Sequence, residues 1–189
     1  MAYLSEDELS MMGFAHLGRD VLISDKASLY DVDRISIDDR SRIDDFVLLS
    51  GRVSIGRNVH IAPFCNLAGG TAGIIMADFS GLAYGCNLIA QSDDYSGQTM
   101  TNPTVPARYK GAETCAPVEL GEHAILGTNT VVLPGVVIGD GVSSGAGTLF
   151  TRSTEPWSVY VGSPARRMKE RSRALLDLAS QYTAELGLS

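Results

Sequence analysis

A chain of 189 residues, 44% apolar and 20% charged, can bury one ordinary core and has the composition of a soluble globular protein. A formal net charge of −7 argues against nucleic acid or an anionic membrane surface as the main partner. No apolar run reaches the roughly 18 residues of a membrane span, and Met1 to Leu9 is polar and acidic rather than signal-like, so the expected compartment is the cytoplasm.

The chain opens with Ser5-Glu6-Asp7-Glu8-Leu9, where Ser5 and Glu8 stand three apart as in a capping box, which predicts a short N-terminal helix. His16 to Leu29 reads as an entry coil with Gly18, Val21, Ile23 and Leu29 at apolar or turning positions. Residues 1–34 are thus expected to precede the main body.

From Ile35 a six-residue rhythm takes over. It runs Ile37, Ile43; then Ile55, Ile61, Leu67; then Met76, Leu82, Leu88; and finally Leu120, Leu126, Val132, Ile138, Ser144, Phe150. Small or branched residues recur at the fifth place of each hexad: Val59, Cys65, Ser80, Cys86, Ala124, Thr130, Val136, Val142 and Thr148. Gly121, Gly127, Gly139 and Gly145 follow four of the aliphatic positions, where a tight turn or a positive φ is expected. A period of six fits neither a helix nor an alternating strand. It is the signature of a parallel β-helix, in which each coil covers its neighbour and none is stable alone. A β-sandwich would instead show two-residue alternation and turn signals every 8–12 residues. Cys65 and Cys86 fall on inward places and read as packing residues, and Cys115 is left over without C-x-x-C spacing.

Asp38, Asp39, Asp44 and Asp45 are expected at corners, turned to solvent, and no metal site is expected from them. Between Leu67 and Met76 the phase slips by three residues through Gly69-Gly70-Thr71-Ala72-Gly73, a corner bulge that lacks the spacing of a phosphate loop. The hexads stop from about 92 to 118, too long for a turn, which predicts an arm thrown out of the prism. Ser158 to Val161 is expected to close the prism, whose span is 35–165. Beyond it, Met168, Leu175, Leu176, Leu178, Ala179, Tyr182 and Leu186 have helical spacing and predict an amphipathic helix over 166–189.

Three runs carry a family resemblance: Leu133-Pro134-Gly135-Val136-Val137-Ile138-Gly139-Asp140, Gly145-Ala146-Gly147-Thr148 and Val161-Gly162-Ser163-Pro164-Ala165-Arg166. They resemble the C-terminal signature of left-handed β-helix acetyltransferases that use acetyl-CoA. Tyr3-Leu4-Ser5, Ser24 to Ser28 and above all Gln91-Ser92-Asp93-Asp94-Tyr95-Ser96-Gly97 are similar to enzymes that N-acetylate a dTDP-linked 4-amino-4,6-dideoxyglucose. The resemblance implies an all-β fold, a left-handed parallel β-helix with a protruding loop and a C-terminal helix. It also implies a cytoplasmic homotrimer with intersubunit active sites, serving O-antigen or other lipopolysaccharide synthesis. Acetyl-CoA would be the co-substrate, a nucleotide sugar the acceptor, and neither nucleic acid nor membrane a partner.

By matching positions, Gly127, Thr128, Ala146, Thr151, Arg152, Pro164, Arg166 and Lys169 would line the coenzyme's path, with Arg167 adding positive charge for its phosphates. Related sugar O-acetyltransferases often carry Trp where Ile125 stands, and a His near the start of the arm as general base. Here Ser92-Asp93-Asp94 occupies that place. A carboxylate with an ordinary pKa near 4 is a poor base for a sugar hydroxyl, but it can orient an amine by accepting its hydrogen bonds. Asp93 and Asp94 therefore favour an amino acceptor, and His60, at an outward place before Ile61, is the candidate base. O-acetylation of a galactoside or maltose is the alternative. A zinc-dependent enzyme would need all three histidines, His16, His60 and His123, and a β-helix that binds without catalysis would share the hexads.

Overall fold

In the computed structural model, which describes residues 2–111 and 113–187, the hexads wind into a three-sided prism of parallel strands. Inward residues one hexad apart fall on neighbouring faces, and those three hexads apart stack on the same face. Face one carries Leu17, Ile37, Ile55, Met76, Leu120 and Ile138. Face two carries Ile23, Ile43, Ile61, Leu82 and Leu126. Face three carries Leu29, Leu49, Leu67, Leu88, Val132 and Phe150. Apart from Leu17 and Leu29 on the first coil, every one of these is at most 2% exposed, and so are the nine fifth-place residues. Each buried aliphatic contributes about 1.5–3 kcal/mol relative to exposure, but only when the coils above and below are in place.

Ser144 departs from the pattern. It is half-buried, and its hydroxyl accepts the Gly127 N–H at 3.0 Å and meets Thr130 Oγ1 at 3.0 Å, so a hydrogen bond replaces an apolar contact there.

Of the two roles expected of the hexad glycines, a tight turn or a positive φ, Gly121, Gly127, Gly139 and Gly145 do not take the second. Left-handed backbone falls two places later, at His123, Asn129, Gly141 and Gly147, and upstream at Phe46, Asn58, Phe64 and Phe79. Gly121 and Gly127 are needed for close approach: a Cβ on Gly121 would lie 2.6 Å from Asp140 N, and one on Gly127 would lie 2.7 Å from Ser144 O. At the corner between faces one and two the space beside Gly18, Gly56 and Gly121 is filled by an aspartate of the next coil. Asp39, Asp78 and Asp140 accept the N–H groups of Arg19, Arg57 and Glu122 at 2.8, 2.7 and 2.9 Å. These carboxylates satisfy backbone donors that the turn would otherwise leave unpaired.

The expected capping box is present: Ser5 N donates to Glu8 Oε2 at 2.8 Å and heads α1, Glu6–Met11. The arm leaves face three after Ala90 and the chain re-enters at Val118, both fully buried. It is rooted by an antiparallel ladder in which Gln91 pairs with Cys115 and Ser92 with Thr114, so the arm is a closed loop rather than a free tail. Residue 112 of the expected arm lies outside the described residues, as do residue 1 of the first segment and 188–189 of the last.

Ser158–Val161 closes face two as expected, in parallel with Ser143–Ser144. The helix expected from Arg166 begins only at Leu175, forming α2, Leu175–Glu185. Arg166–Glu170 is instead an antiparallel strand against Ser158–Val161, because the last parallel strand would otherwise present an open edge of backbone donors and acceptors. Arg171 then rivets the chain to the corner, its Nη1 donating to the carbonyls of His123 at 2.8 Å and Gly141 at 3.0 Å. Tyr182 on α2 packs edge-on against Phe79 and donates to Asn58 Oδ1 at 3.0 Å. Among the described residues, no helix is long and apolar enough to cross a membrane.

Candidate active site

Two clefts carry the polar chemistry, and they lie on different parts of the prism. The first, about 490 Å³, runs along face two beneath α2 and is lined by His60, Tyr84, His123, Ile125, Arg171 and Leu175 among others. His60 is half exposed, and its Nε2 lies 2.8 Å from Asp44 Oδ2. Asp44 was expected at a solvent-facing corner. The structure corrects this: its side chain is only 2% exposed and also accepts Arg42 Nε at 2.7 Å and Nη2 at 3.0 Å. Burial alone would raise the Asp44 carboxyl, but the hydrogen bonds from Arg42 and His60 outweigh it and hold the group below the ordinary carboxylate range. With Nε2 turned to Asp44, the Nδ1 atom of His60 is the ring nitrogen left for a ligand in the cleft.

A depressed folded-state pKa means that Asp44 contributes stability above its unfolded pKa, near 4, and that this contribution is lost as pH falls through the lower folded value. The urea-unfolding free energy of wild type should therefore exceed that of Asp44→Asn most at pH 6–7, with the gap narrowing toward pH 3. A gap that stays constant across that range would contradict the assignment.

The second cleft, about 320 Å³, opens where the arm crosses the edge of face three. Ser50, Ala68 and Gly70 form a floor of small residues, and Gln91, Asp93, Lys110 and Glu113 stand around it. The two adjacent aspartates are used differently. Asp94 is turned into the arm, where Oδ1 accepts Ser96 N at 2.8 Å and Oδ2 accepts Thr99 Oγ1 at 2.7 Å. Those bonds hold its carboxyl down at about 2. Asp93 lines the cleft; Oδ2 accepts Asn102 N at 3.2 Å, while Oδ1 faces Lys110 Nζ at 3.7 Å, beyond hydrogen-bond length. Lys110 is bound by Glu113 at 2.9 Å, and Gln91 Nε2 also donates to Glu113. Two carboxylates thus face one ammonium, leaving one negative charge in excess.

His60 and Asp93 are not brought together within one chain, because they line separate clefts. The coenzyme-path residues divide similarly. Gly127, Thr128 and Ala146 share the edge between faces two and three, with Gly147 N donating to Thr128 O at 2.7 Å, and Pro164 follows just above, where Ala165 N donates to Leu149 O at 2.8 Å. Thr151 and Arg152 are exposed at the other edge of face three. Arg166 and Lys169 are exposed on the added antiparallel strand, opposite Val161 and Val159. Arg152, Arg166 and Lys169 have no carboxylate partner among the described residues, whereas Arg167 is taken up by Glu155 at 3.2 Å. Within Gly145-Ala146-Gly147, the N–H groups of Gly145 and Gly147 are spent on Tyr160 O and Thr128 O at 2.9 and 2.7 Å, and that of Ala146 has no acceptor among the described residues.

Asp44, Lys110 and Glu113 are site residues that sequence reasoning missed. Asp44 left a trace: it stands just after an inward residue, where the coils above place Ala62, Ala83 and Gly127. An acid at a place otherwise filled by small residues needs a buried partner. Lys110 and Glu113 left none, since nothing in the arm's composition says which charges fold back against Asp93.

No family model matches the chain. It is 37% identical over 185 residues to the dTDP-4-amino-4,6-dideoxy-D-glucose acyltransferase of Escherichia coli, covering 96% of this chain and 95% of that protein. It is similar to AntD, an N-acyltransferase from Bacillus cereus solved with dTDP and 3-hydroxybutyryl-CoA. That match has a TM-score of 0.95 and 40% identity, covering 98% of each chain. A serine variant of AntD in complex with dTDP-4-amino-4,6-dideoxyglucose and coenzyme A matches with a TM-score of 0.95 and 41% identity, covering 97% of this chain and 98% of that one.

Proposed function

The chain belongs to the dTDP-4-amino-4,6-dideoxyglucose acyltransferase family, and on that premise we propose that it moves an acetyl group from acetyl-CoA to the 4-amino group of a dTDP-linked 4-amino-4,6-dideoxy sugar. The observation that carries the acceptor assignment is the open Asp93 carboxylate in a cleft with an excess negative charge and no imidazole from its own chain. Such a cleft suits an amine, which needs orientation and the loss of one proton, better than a hydroxyl, which needs a strong base. Asp93 accepts a hydrogen bond from the amine, and the unspent N–H of Ala146 is the donor for the oxyanion of the tetrahedral intermediate. Asp94 serves the arm's own fold.

The coenzyme lies along Gly127, Thr128, Ala146 and Pro164, with the free cations of Arg152, Arg166 and Lys169 for its phosphates. Because these groups and both clefts occupy different edges of one prism, a complete site draws on two copies of the chain, and we assign a homotrimer. The exposed Phe46, Phe64 and Tyr84 and the neighbouring Ile125, all more than 45% exposed, supply apolar surface for that contact. In a trimer, His60 of one protomer and Asp93 of the next can serve one acceptor. The setting is the cytoplasm, and the product feeds O-antigen or a similar surface polysaccharide.

One observation favours a second reading. The Asp44–His60 pair is an oriented imidazole of the kind a sugar O-acetyltransferase needs. Thiol release should be followed with acetyl-CoA and with 3-hydroxybutyryl-CoA, each against dTDP-4-amino-4,6-dideoxyglucose, a galactoside and maltose. Turnover with the amino sugar alone is the expected result. Turnover only with the hydroxyl sugars, abolished by His60→Ala, would replace N-acylation by O-acylation, and a strong preference for the longer acyl chain would change the donor.

A further inference from the structure

We propose that Lys110 is the fixed positive charge that offsets the Asp93 carboxylate and favours the unprotonated form of the acceptor's amine in that cleft, an inference that rests on the N-acylation reading above. Only the neutral amine is a nucleophile. Its lone pair attacks the thioester carbonyl, the N–C bond forms, the C–S bond breaks, and the surplus amine proton passes to the departing thiolate. A carboxylate alone works against this, since an opposite charge stabilises the ammonium form. Asp93 by itself would bind the acceptor well and leave it unreactive.

Lys110 corrects that balance by position. Its side chain is only 16% exposed, and its Nζ is held at 2.9 Å by Glu113, which is itself fixed by Gln91. An amine hydrogen-bonded to Asp93 Oδ1 lies within about 7 Å of Nζ, given the 3.7 Å separation of Nζ from that oxygen and an ordinary hydrogen-bond length of about 3 Å. A like charge at that range lowers the pKa of an amine by about one unit, the same device that activates a lysine beside another cation. Glu113 stabilises the Lys110 charge, so the ammonium that does the tuning stays protonated. Of the other charged groups nearby, Asp94 is bonded to Ser96 and Thr99, Arg108 stacks on Tyr109 at 4.6 Å, and Glu113, at 2.9 Å from Nζ, weakens the effect of Lys110 on the amine. His60 of the neighbouring protomer is the same in wild type and in every Lys110 variant, so a shift between them reads Lys110 alone. Lys110 thus tunes the amine that Asp93 orients.

The test is the pH dependence of kcat from pH 6 to 9 for the full chain with acetyl-CoA and dTDP-4-amino-4,6-dideoxyglucose, in wild type, Lys110→Met, Lys110→Gln and Lys110→Arg. The acidic limb should move up by about one pH unit in Lys110→Met and Lys110→Gln and stay in place in Lys110→Arg. Lys110→Gln keeps a donor for Glu113, so it reads the charge even where the methionine variant loosens the arm. Superimposable limbs in wild type and Lys110→Gln, or an equal shift in the arginine variant, would overturn the inference. Asp93→Asn separates the two layers: full activity there sinks the acceptor reading itself, whereas an inactive Asp93→Asn beside an unshifted Lys110→Gln removes only the role of Lys110.

Discussion

Asp93→Asn should lower kcat/KM for dTDP-4-amino-4,6-dideoxyglucose by about 10²–10³-fold, the usual scale for losing a group that orients or accepts a proton in the transition state. The substitution is nearly isosteric, and the amide oxygen can still accept the Asn102 N–H that Asp93 now accepts at 3.2 Å, so the arm should keep its shape. What is lost is the negative charge that faces the cleft. Asp94→Asn makes the matched control. Its carboxylate accepts Ser96 N and Thr99 Oγ1, and its replacement should loosen the arm toward proteolysis while changing kcat by less than about tenfold. If Asp94→Asn proves to be the dead variant and Asp93→Asn the active one, the arm must rearrange on binding and the assignment moves by one residue.

The largest loss of stability is expected at the top of the prism. Phe150→Ala should cost about 3–5 kcal/mol, as for other buried aromatics cut to alanine. In a chain of this length that corresponds to a drop of roughly 10 °C in Tm. Phe150 is fully buried above Val132, and its ring meets the edge of Tyr160 at 5.7 Å. The Tyr160 hydroxyl in turn accepts Glu155 N at 3.0 Å, so the cavity would lie directly beneath the segment that closes the last coil. Among the described residues no further coil stacks on it. Urea unfolding followed by circular dichroism gives the number; a cost below about 1 kcal/mol would mean that the last coil repacks and that Phe150 does not close the core.

The six-residue rhythm was enough to place the core, because in a parallel prism the inward positions repeat at a fixed spacing whatever the coils say to one another. Ile55, Ile61 and Leu67 could be put inside, and Ser5 with Glu8 at a helix start, from the chain alone. The same local signals placed the arm by the absence of hexads, and the run Gln91 to Gly97 pointed to an amino-sugar acceptor through its likeness to known enzymes. The roles of individual acids were beyond them. Asp39 and Asp44 look alike in sequence, yet one closes a corner against Arg19 and the other is buried beneath His60, and only the coil stacked alongside decides which. Asp93 and Asp94 are neighbours whose uses differ by the partners the folded arm brings to each, Ser96 and Thr99 to Asp94 and the cleft to Asp93. The strand Arg166–Glu170 likewise answers to the open edge of Ser158–Val161, a demand that exists only once the prism is built. Periodicity along a chain fixes what is buried in each coil, while pairing between distant coils fixes which polar group meets which, and for this protein the chemistry belongs to the second kind of contact.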